Sequence, residues 1–248
     1  GVCGANDTLR VGRAALHWWE EPCLVGDRGS GAVFFAHCAL GCVYCQNKRL
    51  AEGEGVEITQ ERLCEILLEL QNEQRAANVN LVTASHYAPS VAEMLRELRA
   101  SGALHIPVVW NTSGYESAQT LALLEGLVDI YLVDFKYSNP VTAQRLSHVI
   151  VRHLVLPGYV DDSLAALDLL YPRIRGRALL SIMNQFTIVD EALDVRAYGL
   201  ERAVSDEAYE RVLDHADELG FEDYFWQEGG AASESFVPAF DGTGVVVP

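Results

Sequence analysis

The sequence predicts an α/β protein, built as a partial or near-complete parallel (β/α) barrel of about six strands. Three observations carry that expectation. Short runs rich in Val, Ile, Leu and Phe alternate along the chain with stretches of helical periodicity. The alternation repeats about six or seven times, which favours a barrel over a two-layer sandwich. The polar residues suited to chemistry fall just after the strand-like runs, where (β/α) folds carry their sites.

Taken in order, residues 32–37 (AVFFAH) read as the first strand. Thr59 is placed to cap a helix in which Leu63, Ile66, Leu67 and Leu70 share one face. Residues 78–83 (NVNLVT) form the next strand, and 89–100 a helix with Val91, Met94, Leu95 and Leu98 on one side. Strand 107–110, helix 117–124 and strand 129–134 (DIYLVD) follow. Strand 149–156 (VIVRHLVL) stops at Pro157-Gly158, and residues 164–171 are helical. A strand at 178–183, a helix opened by Ser205 and a short strand at 224–227 complete the series. Only twelve residues separate Lys136 from Val149. That is the least a βαβ crossover needs, so a shortened helix or a missing piece is expected there. The expected organisation is an N-terminal extension (1–30), the barrel (31–227) and a small, Gly-rich C-terminal tail (228–248).

Thirty-five Asp plus Glu against eighteen Lys plus Arg give a formal charge of −17. That balance argues against nucleic acid, because phosphate binding needs a basic surface. No apolar run approaches the roughly eighteen residues of a membrane span, and the first residues lack the basic and apolar regions of a secretory signal. A cytoplasmic protein without membrane contact is expected. Of the six cysteines, Cys38, Cys42 and Cys45 fall within HCALGCVYCQN, directly after the first strand. Such crowding suits ligation in a reducing compartment better than a disulfide framework. A tetrahedral zinc site usually takes four ligands as two separated pairs, and an iron–sulfur cluster normally takes four cysteines. Three thiolates leave one position open, as catalytic metals require. The contrasting class is a zinc or redox-cysteine protein on the same scaffold; the missing second C-x2-C counts against it.

The C-x3-C-x2-C spacing in that place, with an aromatic before the last cysteine, resembles the signature of the radical S-adenosylmethionine (SAM) enzymes. The stretch HWWEEPCLVGDRGSGAVFFAHCALGCVYCQN resembles, within them, enzymes like the pyruvate formate-lyase activating enzyme. The resemblance continues through NVNLVTASHY, VVWNTSGY, DIYLVDFKY, VRHLVLPG, SIMNQF and EGGAASESFVPAFDGTG. It implies a [4Fe-4S] cluster on Cys38, Cys42 and Cys45, with SAM on the fourth iron. It implies reductive cleavage of SAM to a 5′-deoxyadenosyl radical, which takes a hydrogen atom from substrate. An anaerobic enzyme, a reductant such as flavodoxin or ferredoxin, and a glycyl-radical-enzyme-like protein partner are implied with it. The alternative within the class is modification of another peptide or a small metabolite.

The resemblance also implies residue roles. Tyr44 would lie beside the adenine. Lys136, in Asp134-Phe135-Lys136, would hold the SAM carboxylate, and Asp134 stands where relatives assist a monovalent cation. Asn111 and Thr112 lie in Asn-Thr-Ser-Gly where those enzymes carry Asp-Thr-Asn-Gly; the amide weakens cation binding but can bond the SAM ribose or carboxylate. Thr83 and Ser85 replace a Gly-Gly-Glu loop and would accept from the SAM amino group. Independently of the resemblance, Arg152 and His153 alternate in a strand and point to opposite faces; a charge inside the barrel must be paired, so Arg152 either approaches the SAM carboxylate or packs in a peripheral pair. By their places at strand ends, His86 faces substrate or is structural and Gln185 contacts adenine or substrate; Glu20 and Glu21 flank the mouth within reach of substrate, and further cysteines are expected upstream of Cys3.

Overall fold

The computed structural model describes residues 3–42, 45–134, 149–187, 195–227 and 238–246. The chain divides into two compact units. The first comprises Gly1–Gly41, Asn47–Tyr131 and Pro238–Pro248; the second comprises Cys42–Gln46 and Leu132–Val237.

In the first unit the strand order is β3-β1-β2-β4-β5. These are β1 (Leu9–His17), β2 (Ser30–Phe35), β3 (Val56–Ile58), β4 (Val79–Val82) and β5 (Val108–Thr112). The parallel part is the expected one: β2 pairs with β4 and β4 with β5. Their runs are buried on both faces, as parallel strands between other layers must be. Ala32 stands opposite Asn80 and Phe34 opposite Val82, and Ala32, Phe34 and Val82 share one cluster with Ala36 and Leu50. Asn80 and Val82 therefore point to the same side of β4.

β1 and β3 add an antiparallel flank that the periodicity does not announce. The register of β1 slips between Val11 and Arg13. A side chain on Gly12 would put its Cβ 2.5 Å from Leu50 Cδ1, so any larger residue there would make the Leu50 side chain move. Residues 240–243 return to this strand. Ala14 N donates to Thr243 O (2.9 Å) and Gly242 N to Gly12 O (2.9 Å), while Phe240 meets the Phe34 ring edge-on at 5.5 Å.

The helices of the first unit are α1 (Pro22–Val25), α2 (Lys48–Ala51), α3 (Gln60–Asn72), α4 (Ala88–Ala100) and α5 (Ala118–Leu124). Thr59 caps α3 as expected, accepting from Arg62 N, and Ser117 caps α5 through Thr120 N. Leu63, Ile66, Leu67 and Leu70 of α3 are buried, and so are Val91, Met94, Leu95 and Leu98 of α4. Each helix thus hides one apolar stripe. The last strand, β6 (Ile130–Asp134), carries the chain out of this unit.

The second unit has β7 (Val149–Leu154), β8 (Leu179–Met183) and β9 (Tyr224–Trp226), paired in parallel in that order. The connecting helices are α6 (Val160–Ile174) and α7 (Asp206–Leu219). Ser205 caps α7 by accepting from Ala208 N, and left-handed Gly220 ends it. The two helices meet through Tyr171 against Phe221 (ring centroids 5.0 Å) and His215 against Asp168 (3.0 Å). Tyr209 of α7 fastens the sheet. Its hydroxyl donates to Ile182 O (2.6 Å) and accepts from Gln227 N (3.0 Å). Burial pushes this phenol up to about 12. The fold is α/β with mostly parallel strands. The crossover questioned between Lys136 and Val149 lies outside the described residues, as does residues 228–237 of the tail.

Candidate functional site

The first unit builds a frame immediately before Cys38. β2 ends at Phe35, and His37 enters a left-handed conformation (φ 72°) with its N–H donating to Leu50 O at 2.8 Å. The His37 imidazole lies so close to Gly53 that a Cβ there would come within 2.5 Å of Cε1. His86 shares a 2.8 Å hydrogen bond between Nε2 and Ala36 O, and its ring meets His37 edge-on at 6.3 Å. Burial is the chief cause holding the His86 pKa below its usual value. A neutral His86 with its proton on Nε2 fits this bond, because the carbonyl can only accept. Two imidazoles thus fix the backbone that leads into Cys38.

Beyond it, Gly41 takes a left-handed turn (φ 59°) between the first two cysteines of the motif. Cys42 and Cys45 belong to the second unit, where Cys45 N donates to Cys42 O at 3.1 Å. None of the three cysteines is in a disulfide, and all three are of intermediate burial. Among the described residues, no three His, Cys, Asp or Glu side chains are gathered as around a metal ion. The fit to a cluster therefore rests on donor chemistry. Three cysteines of one short loop, none in a disulfide, are ligands that soft iron–sulfur centres take. Cys38, Cys42 and Cys45 would hold it. Tyr44 lies outside the described residues.

The ends of β4 and β5 bring together four of the expected residues, all within the first unit. Thr83 is held at φ 61° and its N–H donates to Asn111 O (2.9 Å). A non-glycine residue at such a φ is uncommon and marks a constrained turn. Ser85 and Thr112 both donate their hydroxyls to Glu116 Oε1, which also accepts from Trp110 Nε1 at 3.1 Å. Gly114 N donates to Thr112 Oγ1 at 3.2 Å. Glu116 is buried, and its three donors meet the demand that an enclosed carboxylate be hydrogen-bonded. Glu116 had no sequence signal: it reads as an ordinary loop acid after Gly114-Tyr115.

Asn111 Nδ2 donates to Glu20 Oε1 at 3.3 Å. A carboxylate therefore stands beside the position where Asn replaces the relatives' acid, supplied from 91 positions away. Glu20, expected only to flank the mouth, is thereby tied to the end of β5.

In the second unit, Arg152 Nε donates to Asp134 Oδ1 at 2.6 Å, with both side chains mostly buried. Two expected ligand-binding residues thus meet each other. The carboxylate offsets the cost of enclosing the guanidinium and orients its fork. Lys136 lies outside the described residues. Gln46, one residue beyond the third cysteine, donates through Nε2 to Gln185 O (2.9 Å) and lies 3.4 Å from Thr187 Oγ1. Gln185 Oε1 in turn accepts from Gln227 Nε2 at 3.0 Å, so its side chain supports the ends of β8 and β9. Gln46 was missed because nothing about a Gln-Asn pair announces a partner 139 residues away.

No helix among the described residues is long and apolar enough to cross a membrane. The chain is 26% identical to an uncharacterized protein of Methanocaldococcus jannaschii over 234 aligned residues, taking in 84% of this chain and 67% of that protein. Residues 33–193, well over half of the sequence, match the Radical SAM superfamily, and Cys38, Cys42 and Cys45 stand near the start of that match. The chain belongs to the radical SAM superfamily, whose proteins use a [4Fe-4S] cluster and S-adenosylmethionine.

Proposed function

We propose that this protein is a radical SAM oxidoreductase of the activating-enzyme kind, which takes a hydrogen atom from a glycine of a glycyl-radical-enzyme-like partner. The observation that carries the radical chemistry is the set of three cysteines outside any disulfide, Cys38, Cys42 and Cys45, at C-x3-C-x2-C within the family match. The choice of partner is supported by DIYLVDFKY and VVWNTSGY, which resemble the strand ends of the activating enzymes. When bound, the cluster and SAM supply reductive cleavage of the sulfonium and a 5′-deoxyadenosyl radical.

The protein's own residues bind and aim. In this reading Asn111, Thr112, Thr83 and Ser85 offer acceptors and donors to the amino and ribose groups of SAM. Arg152 and Lys136 take its carboxylate, Asp134 holds Arg152 in position, and Tyr44 covers the adenine. The frame of His37 and His86 keeps the first thiolate in place. Excluding water and stray hydrogen donors protects the radical until it reaches one C–H bond. An oxygen-free cytoplasm and a flavodoxin- or ferredoxin-type reductant complete the proposal.

The test is anaerobic incubation of the reconstituted protein with SAM, reductant and a candidate glycyl-radical enzyme. The expected result is 5′-deoxyadenosine together with a glycyl doublet in the electron paramagnetic resonance spectrum of the partner. Production of 5′-deoxyadenosine with deuterium drawn from a small molecule, and no protein radical, would overturn the choice of partner. Absence of 5′-deoxyadenosine under every reductant would overturn the radical chemistry itself.

A further inference from the structure

The second unit carries an open groove of about 600 Å³ between α7 and β9. Most of its wall lies beyond residues 33–193, the part that matches the family. Asp206, Glu210, Asp214 and Asp217 line one side. They recur at helical spacing, so they form one stripe of α7. No basic side chain lines the groove among the described residues. The basic groups of α7 turn elsewhere: Arg211 reaches Asp161 (3.4 Å) and His215 reaches Asp168 (3.0 Å).

Tyr224 and Trp226 line the other side and, two residues apart on β9, face the same way. Trp226 is 56% exposed, a large apolar surface left in water. Asn184, just past the end of β8, also lines the groove. It is only 7% exposed, and its Oδ1 has no hydrogen-bond partner among the described residues. A buried carbonyl in that state calls for a donor from outside.

We propose that this groove receives an extended peptide segment of a protein partner, with basic residues at alternate positions. The spacing supports that choice. Carboxylates four residues apart on a helix are about 6 Å apart along its axis, and alternate residues of an extended chain are about 6.6 Å apart. Successive ammonium or guanidinium groups would therefore meet Asp206, Glu210 and Asp214 in turn. Trp226 offers its ring face to one of these cations, and a turn of the enclosed Asn184 amide toward the groove lets its Oδ1 accept a peptide N–H. A single metal ion fits less well, because no three acids converge among the described residues. The inference is independent of whether the radical ends on a glycine.

The experiment uses the full, anaerobically reconstituted chain and two fluorescein-labelled synthetic peptides of equal charge. One alternates lysine with serine; the other groups its lysines at one end. Fluorescence anisotropy should report tighter binding of the alternating peptide, weakening severalfold as salt rises from about 50 to about 300 mM. The double variant Glu210→Gln/Asp214→Asn should raise Kd about three- to tenfold, and Trp226→Ala should also weaken binding, with circular dichroism unchanged in both. Equal affinity for the two peptides, or a double variant that binds like the parent, would mean mere attraction to an acidic chain and would overturn the proposal.

Discussion

Replacing Glu116 tests the strand-end network most directly. In Glu116→Ala, the indole N–H of Trp110 loses its acceptor inside the protein, where Trp110 is fully buried. An orphaned buried donor costs about 1–3 kcal/mol. The hydroxyls of Ser85 and Thr112 lose a carboxylate, but they lie 3.4 Å apart and can bond each other, so their share is smaller. Together the loss comes to about 3–5 kcal/mol, allowing for the side-chain void. For a chain of this size that lowers Tm by roughly 6–20 °C. Glu116→Gln keeps the shape and one carbonyl acceptor, and should cost about 1–1.5 kcal/mol, the difference between a charged and a neutral acceptor. Thermal and urea unfolding followed by circular dichroism would measure both. A double-mutant cycle with Trp110→Phe should return a coupling of about 1–3 kcal/mol. An alanine variant that melts within about 2 °C of the parent, or a cycle with no coupling, would refute the claim that this carboxylate organises the ends of β4 and β5.

Three further outcomes follow from the geometry. Alanine at Cys38, Cys42 or Cys45 should abolish the brown colour and the bound iron after anaerobic reconstitution, while the apo chain keeps its circular dichroism. Gly53→Ala should lower iron retention and stability together, because a Cβ would strike the His37 ring and the backbone sits at φ 104°; iron content and melting of the apo chain report the two effects separately. Burial pushes Tyr131 and Tyr209 up to about 12. Below about pH 10 both phenols are protonated in folded and unfolded chains alike, and the folded state keeps its full advantage. Between about pH 10 and 12 only the unfolded chain ionises, so stability should fall by about 1–2 kcal/mol for each residue once solvent screening is allowed for. Urea titrations of the apo chain across that range should show the decline, and Tyr209→Phe should flatten it.

Much of this architecture is written in local pattern. Apolar runs such as NVNLVT and VIVRHLVL can pair only inside a sheet, and Thr59 and Ser205 announce helix starts through a hydroxyl that reaches one backbone N–H. The cysteine motif is legible because ligands must be close along the chain to share one loop. β1 and β3 were not legible. LRVGRAALH mixes arginines with a glycine-containing irregularity, and Val56–Ile58 has only three residues. Both become strands because of the partners they find. Glu116 and Gln46 stayed hidden for a related reason. Each is an unremarkable polar residue in a loop, and its role exists only once distant donors or acceptors arrive.

The return of the last residues to β1 has a consequence for biogenesis. Arg13 and Asp241, which form an ion pair at 3.4 Å, are separated by 228 positions. The ribosome therefore finishes β1 and β2 long before Phe240 emerges to cover Phe34 and Leu50. Until Phe240 emerges, a nascent chain would display that apolar surface to chaperones and to neighbouring nascent chains. A stop codon just before Pro238 would make the interval permanent, yielding a polypeptide prone to aggregate although every cysteine of the motif had been made.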